Sequence, residues 1–155
     1  MKTKHNAAFT LIEILVAIAI VALVSVMVFP NFINIRQKAR DTKRKSDILQ
    51  IQKALELYKT DQLPPAYPDG NFLEFLCNQC WSQSEDCTGN IYMRKVPCDP
   101  GTTADMPYIY VRDPSDGLKY SLSGCLESTS DPDEDPVSTT ECADLGKESF
   151  TVYEP

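Results

Sequence analysis

From Phe9 to Phe29 the chain is apolar at every position except Thr10, Glu13 and Ser25, a run of 21 residues. A helix of that length reaches about 30 Å at about 1.5 Å per residue, enough to cross a bilayer core. Residues 9–29 are therefore expected to form a transmembrane helix. No later segment is apolar enough to span again, so a single pass is expected. Pro30 removes one backbone donor and crowds the preceding turn, which predicts a kink rather than an end, because helix formers resume after it. Between Asn31 and Asp61 there is no Gly or Pro. Ile48, Ile51, Leu55 and Tyr58 recur there at steps of three, four and three. One apolar stripe on an otherwise charged helix predicts an amphipathic continuation over 30–62 that packs on something through that stripe.

Pro64, Pro65 and Pro68, followed by Asp69-Gly70, end the helix. Residues 71–100 hold four cysteines and Trp81 but little periodicity, and are expected to be a stapled loop. Alternation then appears. Tyr108–Val111, a turn-rich Asp113–Gly117, and Leu118, Tyr120 and Leu122 interleaved with Lys119, Ser121 and Ser123 predict a hairpin with one buried face. Phe150–Tyr153 can add a third strand. Ser128–Thr140, made largely of Asp, Pro, Ser and Thr, has no means of forming a core and is expected to be a solvated acidic loop. The expected class is α+β, a long amino-terminal helix packed on a small antiparallel sheet. Its parts are a leader (1–8), the span (9–29), the amphipathic helix (30–62) and a globular domain (63–155) with the acidic loop 128–140.

Charge divides the chain. Residues 1–60 carry ten basic and four acidic residues, whereas residues 61–155 carry five and eighteen. A strongly acidic exposed domain argues against that part binding nucleic acid or an anionic surface. The six cysteines, Cys77, Cys80, Cys87, Cys98, Cys125 and Cys142, all lie beyond the apolar helix. An even set placed there reads as disulfides in an oxidising space, with fifteen pairings open. A Cys125–Cys142 bridge would close the acidic loop and contribute about 3 kcal/mol. A zinc site seeded by Cys77-x-x-Cys80 lacks a second closely spaced pair. Thiol exchange at Cys77-x-x-Cys80 lacks a surrounding βαβ pattern. The single histidine, His5, lies in the leader, so no nucleophile–base pair stands out and no enzymatic activity is expected.

The leader junction is the most specific feature. Lys2 and Lys4 precede Ala8, and Phe9-Thr10-Leu11-Ile12-Glu13 opens the apolar run. A secretory signal is cut after its hydrophobic region; here the natural cut lies before it. This order resembles the type IV prepilin family, which includes the pseudopilins of type II secretion. The family's usual residue before the cut is Gly, where this chain has Ala8. Val96-Pro97-Cys98-Asp99-Pro100, Tyr108-x-Tyr110, Tyr120-Ser-Leu122 and Leu126-Glu127 resemble the sheet region of pseudopilins and small pilins more loosely.

The resemblance implies cleavage between Ala8 and Phe9 by a prepilin peptidase/methyltransferase and N-methylation of Phe9. It also implies storage in the cytoplasmic (inner) membrane with the globular domain outside the cytoplasm. From there the chain would polymerise with itself and other pilins through membrane assembly machinery. The expected function is a structural subunit of a type IV pilus-like filament, with the major pseudopilin of a type II secretion system as the alternative. A membrane-tethered enzyme and a DNA-binding minor pilin are further alternatives.

Glu13 carries that function. Thr10-x-x-Glu13 before an apolar run is a capping box, and Glu13 could also meet the new amino group of its own Phe9 one turn away. With the resemblance, the favoured role is pairing with Phe9 of a neighbouring subunit, because a carboxylate in an apolar helix usually has a partner. Arg36, Lys38, Arg40, Lys43, Arg44 and Lys45 outnumber the leader lysines, against the positive-inside rule. That run is expected to be a solvated face meeting acids of neighbouring subunits, with lipid headgroups as a second partner. Without interleaved aromatics it gives no support to DNA binding. Asp131-x-Asp133-x-Asp135 resembles the opening of a calcium loop, but Pro136 and Cys142 stand where an EF-hand needs Gly and Glu. No cofactor is expected, with calcium at those three acids the one candidate, since the resembled major pseudopilins hold calcium in a carboxy-terminal loop.

Overall fold

The computed structural model describes residues 9–101 and 108–155, with side chains except those of residues 27–31, 74 and 75. The leader, and with it Ala8, lies outside the described residues. The chain divides into two compact units, Met1–Arg36 and Gln37–Pro155, and helix α1 (Leu11–Asp61) contributes to each. Position 30 is helical, while the side chain of Pro30, on which a kink was expected, lies outside those described.

In the first unit every large apolar side chain from Phe9 to Val26 is exposed. Ser25 satisfies its hydroxyl within the helix, donating to the Val21 carbonyl at 2.7 Å. Among the described residues no helix is long and apolar enough to cross a membrane. Described side chains of the apolar run stop at Val26, so the expected span 9–29 extends outside them.

In the second unit, α1 buries Ile48, Ile51, Ala54 and Leu55. Three of the four expected stripe residues are among them, with Ala54 added, while the fourth, Tyr58, is only half-buried and packs against the core. They face a three-stranded antiparallel sheet in the order β3 (Ile109–Arg112), β4 (Tyr120–Leu126), β5 (Glu148–Tyr153). Tyr110 pairs with Leu122, and Leu122 with Val152, which sets an apolar row on one face. Gly124 lets helix and sheet approach closely, because a Cβ there would stand 3.0 Å from both Ile48 and the Tyr108 ring. The expected hairpin is present, but its second strand begins at Tyr120 and leaves Leu118, expected on the buried face, exposed in the turn. The third strand begins two residues earlier than expected, at Glu148.

Two expectations need correction. Residues 71–100 are not all loop. They hold a short helix α2 (Leu73–Leu76) and a two-stranded antiparallel sheet of β1 (Trp81–Ser82) and β2 (Ile91–Met93). Strands of two and three residues are too short to print alternation. What positions them is the Cys80–Cys87 bridge, which ties the residue before β1 to the connection between the strands, and an aromatic cluster around Trp81, 5.5 Å from Tyr58, 4.7 Å from Phe72 and 5.4 Å from Tyr92. The other bridges are Cys77–Cys98 and Cys125–Cys142.

The acidic loop 128–140 is not merely solvated. Asp131 and Asp133 both pair with Lys45 of α1. The Asp135 N–H donates to Ser149 O at 2.8 Å, and its carboxylate accepts from the Ser149 hydroxyl and, at 2.6 Å, from the Thr151 hydroxyl. Past it, α3 (Thr140–Ala143) buries Cys142 in its bridge to β4. Polar docking of this kind needs no apolar periodicity, and composition alone hides it.

Candidate assembly site

At the start of α1 the Thr10–Glu13 capping box is formed. Glu13 Oε2 accepts from the Thr10 N–H and the Thr10 hydroxyl, each at 2.8 Å. In return the Glu13 N–H donates to Thr10 Oγ1 at 3.3 Å. The first intrahelical bond follows, from Ile14 N–H to Thr10 O at 3.3 Å. Both bonds to the Glu13 carboxylate fall on one oxygen. An ionised carboxylate offers about four lone-pair sites on two oxygens, so the cap leaves capacity for an ammonium from elsewhere. Phe9, whose nitrogen would become that ammonium on cleavage, is exposed. As far as Val26 the side chains that follow are apolar and exposed except Ser25, whose hydroxyl is satisfied within the helix, which makes Glu13 the single charge of this surface.

A second cluster went unanticipated. Carried back along α1, the stripe of Ile48, Ile51 and Leu55 reaches Arg44 and Asp41, at steps of four and three, and both are fully buried. Arg44 donates to Asp41 at 2.6 Å, and to both oxygens of Asp99 at 2.8 Å each through Nε and Nη2. It also donates to Glu127 Oε1 at 2.7 Å. Arg40 closes on the same Glu127 from one turn earlier. The Asp41 carboxylate accepts the backbone N–H groups of Glu127 and Ser128 at 2.9 Å each, where the chain leaves β4. The network ties α1 to Asp99 and to the end of the sheet. The phase of the stripe pointed to its helix side, which the residue types obscured, while Asp99 and Glu127 stood out only as parts of the motifs that resemble the sheet region.

Burial opposes the Arg44 charge, but hydrogen bonds to Asp99 and Glu127 outweigh it and hold the guanidinium pKa above its usual value. Glu127 is held down to about 2, first by the hydrogen bond from Arg40, then against burial by that from Arg44. A carboxylate depressed in the folded state contributes stability above its unfolded pKa, and that contribution is lost as pH falls through the folded value. Stability should therefore decline from about pH 4.5 towards about pH 2. Glu127→Gln should flatten that part of the profile, read as the denaturant midpoint against pH.

Arg40, Arg44 and Lys45 thus bind acids of their own chain, which corrects the expectation of one solvated basic face. Arg36, Lys38 and Lys43 remain exposed, with Arg36 stacked 4.6 Å over the Phe32 ring.

A long amino-terminal helix packed on small antiparallel sheets, capped by a lone carboxylate in an exposed apolar run, defines a pilin-like α+β subunit. Residues 3–29 match the prokaryotic N-terminal methylation motif, and residues 31–135 match the family described as type II secretion system (T2SS), protein G. The chain belongs to the type II secretion system protein G family. Among its relatives, the type II secretion system core protein G of Pseudomonas aeruginosa is 32% identical over 114 residues, covering 72% of this chain and 77% of that protein. The protein of the same name in Escherichia coli K12 is 39% identical over 101 residues, covering 63% and 68%. That of Aeromonas hydrophila is 31% identical over 103 residues, covering 64% and 71%. No solved structure is matched. Of the two expected functions, these matches fit the secretion pseudopilin better than the pilus subunit.

Proposed function

We propose that the chain is the major structural subunit of a type II secretion pseudopilus, without catalytic activity of its own. The observation that carries this reading is the first unit of the fold, a helix exposed on all its apolar residues from Phe9 to Val26 with Glu13 as its one charge. Such a surface needs lipid before assembly and other apolar helices after it. A prepilin peptidase/methyltransferase cuts between Ala8 and Phe9 and methylates Phe9, and the retained helix anchors the subunit in the inner membrane as a single pass. The disulfide-bonded unit then lies on the periplasmic side. During polymerisation Glu13 of one subunit pairs with the Phe9 amino group of the next, which sets a single register, and the acidic units form the outside of the filament.

Deleting the gene in its native host separates this reading from the surface-pilus alternative. Secreted enzymes should accumulate in the periplasm while long surface fibres persist. Normal secretion with loss of surface fibres would return the chain to the pilus role.

A further inference from the structure

The three acids whose spacing resembles the opening of a calcium loop, Asp131, Asp133 and Asp135, are already engaged. Calcium takes about six to eight oxygens at about 2.3–2.6 Å and draws them from convergent carboxylates and carbonyls. Here Asp131 Oδ1 and Asp133 Oδ2 converge instead on the Lys45 ammonium, the second at 2.8 Å. Asp131 also accepts the Asp133 N–H at 3.0 Å, which holds the turn that presents both acids to one point. Asp135 is spent elsewhere, on the Ser149 and Thr151 hydroxyls of β5 and the Thr151 N–H. Among the described residues, no group of three or more His, Cys, Asp or Glu could hold a metal ion. The residues present do not fit calcium, and the reason is positive: a cation of the chain itself stands between the two acids.

Lys45 is suited to that place. Its side chain is 16% exposed and that of Asp131 13%, so the pair is shielded from salt. The Phe150 ring lies 5.6 Å from the ammonium and favours the charged form. Lys45 follows Arg44, whose contacts fix this turn of α1 against Asp99 and Glu127. At its far end the loop is held covalently by Cys125–Cys142. A divalent ion entering between Asp131 and Asp133 would have to expel the ammonium or sit against a like charge.

We propose that Lys45 is a built-in cation that closes the acidic loop onto α1 and makes the fold of this chain independent of calcium. Chain geometry alone supports this, so it stands or falls apart from the secretion role: a failed secretion test leaves it untouched.

The test uses the full-length chain in detergent, in chelator and in millimolar calcium, followed by thermal unfolding and by proteinase K cutting within residues 128–140. The native chain should unfold at the same temperature in both buffers. Lys45→Met keeps the apolar stem beside Phe150 and removes the charge. It should raise the cutting rate about tenfold in either buffer, the size expected for losing a charged hydrogen-bond partner. If Lys45→Met does not fold, the double change Asp131→Asn with Asp133→Asn, which leaves Lys45 in place, should give the same gain. A native chain whose unfolding temperature rises with calcium overturns the proposal. So does a loop cut no faster in the variants than in the native chain.

Discussion

Arg44→Met should lower the stability of the Gln37–Pro155 unit by about 3–5 kcal/mol, the cost of removing one partner from a buried ion network. Folded domains are stable by only about 5–15 kcal/mol, so this single change should bring the unit close to unfolding. The size follows from what is left behind. Asp41 is fully buried, Asp99 and Glu127 nearly so, and all three would lose the guanidinium that they share. Arg40 would still reach Glu127. Arg44→Lys should rescue only in part, because a point ammonium cannot reproduce the fork that meets both oxygens of Asp99. Denaturant midpoints of the full chain in detergent check this. A methionine variant as stable as the native chain would mean that the network carries none of the helix–sheet docking.

The second large effect is at Glu13. Glu13→Gln should leave cleavage, disulfides and the folded outer unit intact and abolish filaments. Glutamine keeps an acceptor oxygen at N3, so the capping box with Thr10 can still form. What it removes is the charge, and with it the attraction for an ammonium within a bundle of apolar helices, where little screening weakens such a pair. The substitution therefore separates the two roles that the geometry allows. Sedimentation of sheared filaments, blotted for the mature chain, reads the outcome. Filaments at native yield would leave Glu13 as a helix cap and nothing more.

Those two predictions mark how far the sequence could be read. The apolar run from Phe9 and the stripe Ile48–Ile51–Leu55 printed their helix directly, since one residue type repeats at the period of the element. The β3–β4 hairpin was legible for the same reason, at period two. Glu13 stood out because a charge in an apolar run is rare. Arg44 and Asp41 occupy the same stripe as Ile48, yet hydrophobicity classes them as surface, so the buried face was read as beginning about two turns too late. The acidic loop failed similarly, because its order comes from Lys45, Ser149 and Thr151, distant in sequence and silent in composition. The short β1–β2 pair depends on a bridge whose partners no spacing could choose. Apolar periodicity is a local signal, whereas polar networks are assembled from residues far apart in the chain.

Mass spectrometry of the native chain drawn from membranes and from the filament fraction tests the central claim, that this is a processed subunit which keeps its apolar helix for assembly. A mass beginning at Phe9 with one added methyl group and all six cysteines oxidised, in both fractions, is the predicted result. A chain that retains Met1–Ala8, or one cut after the apolar run, would contradict it.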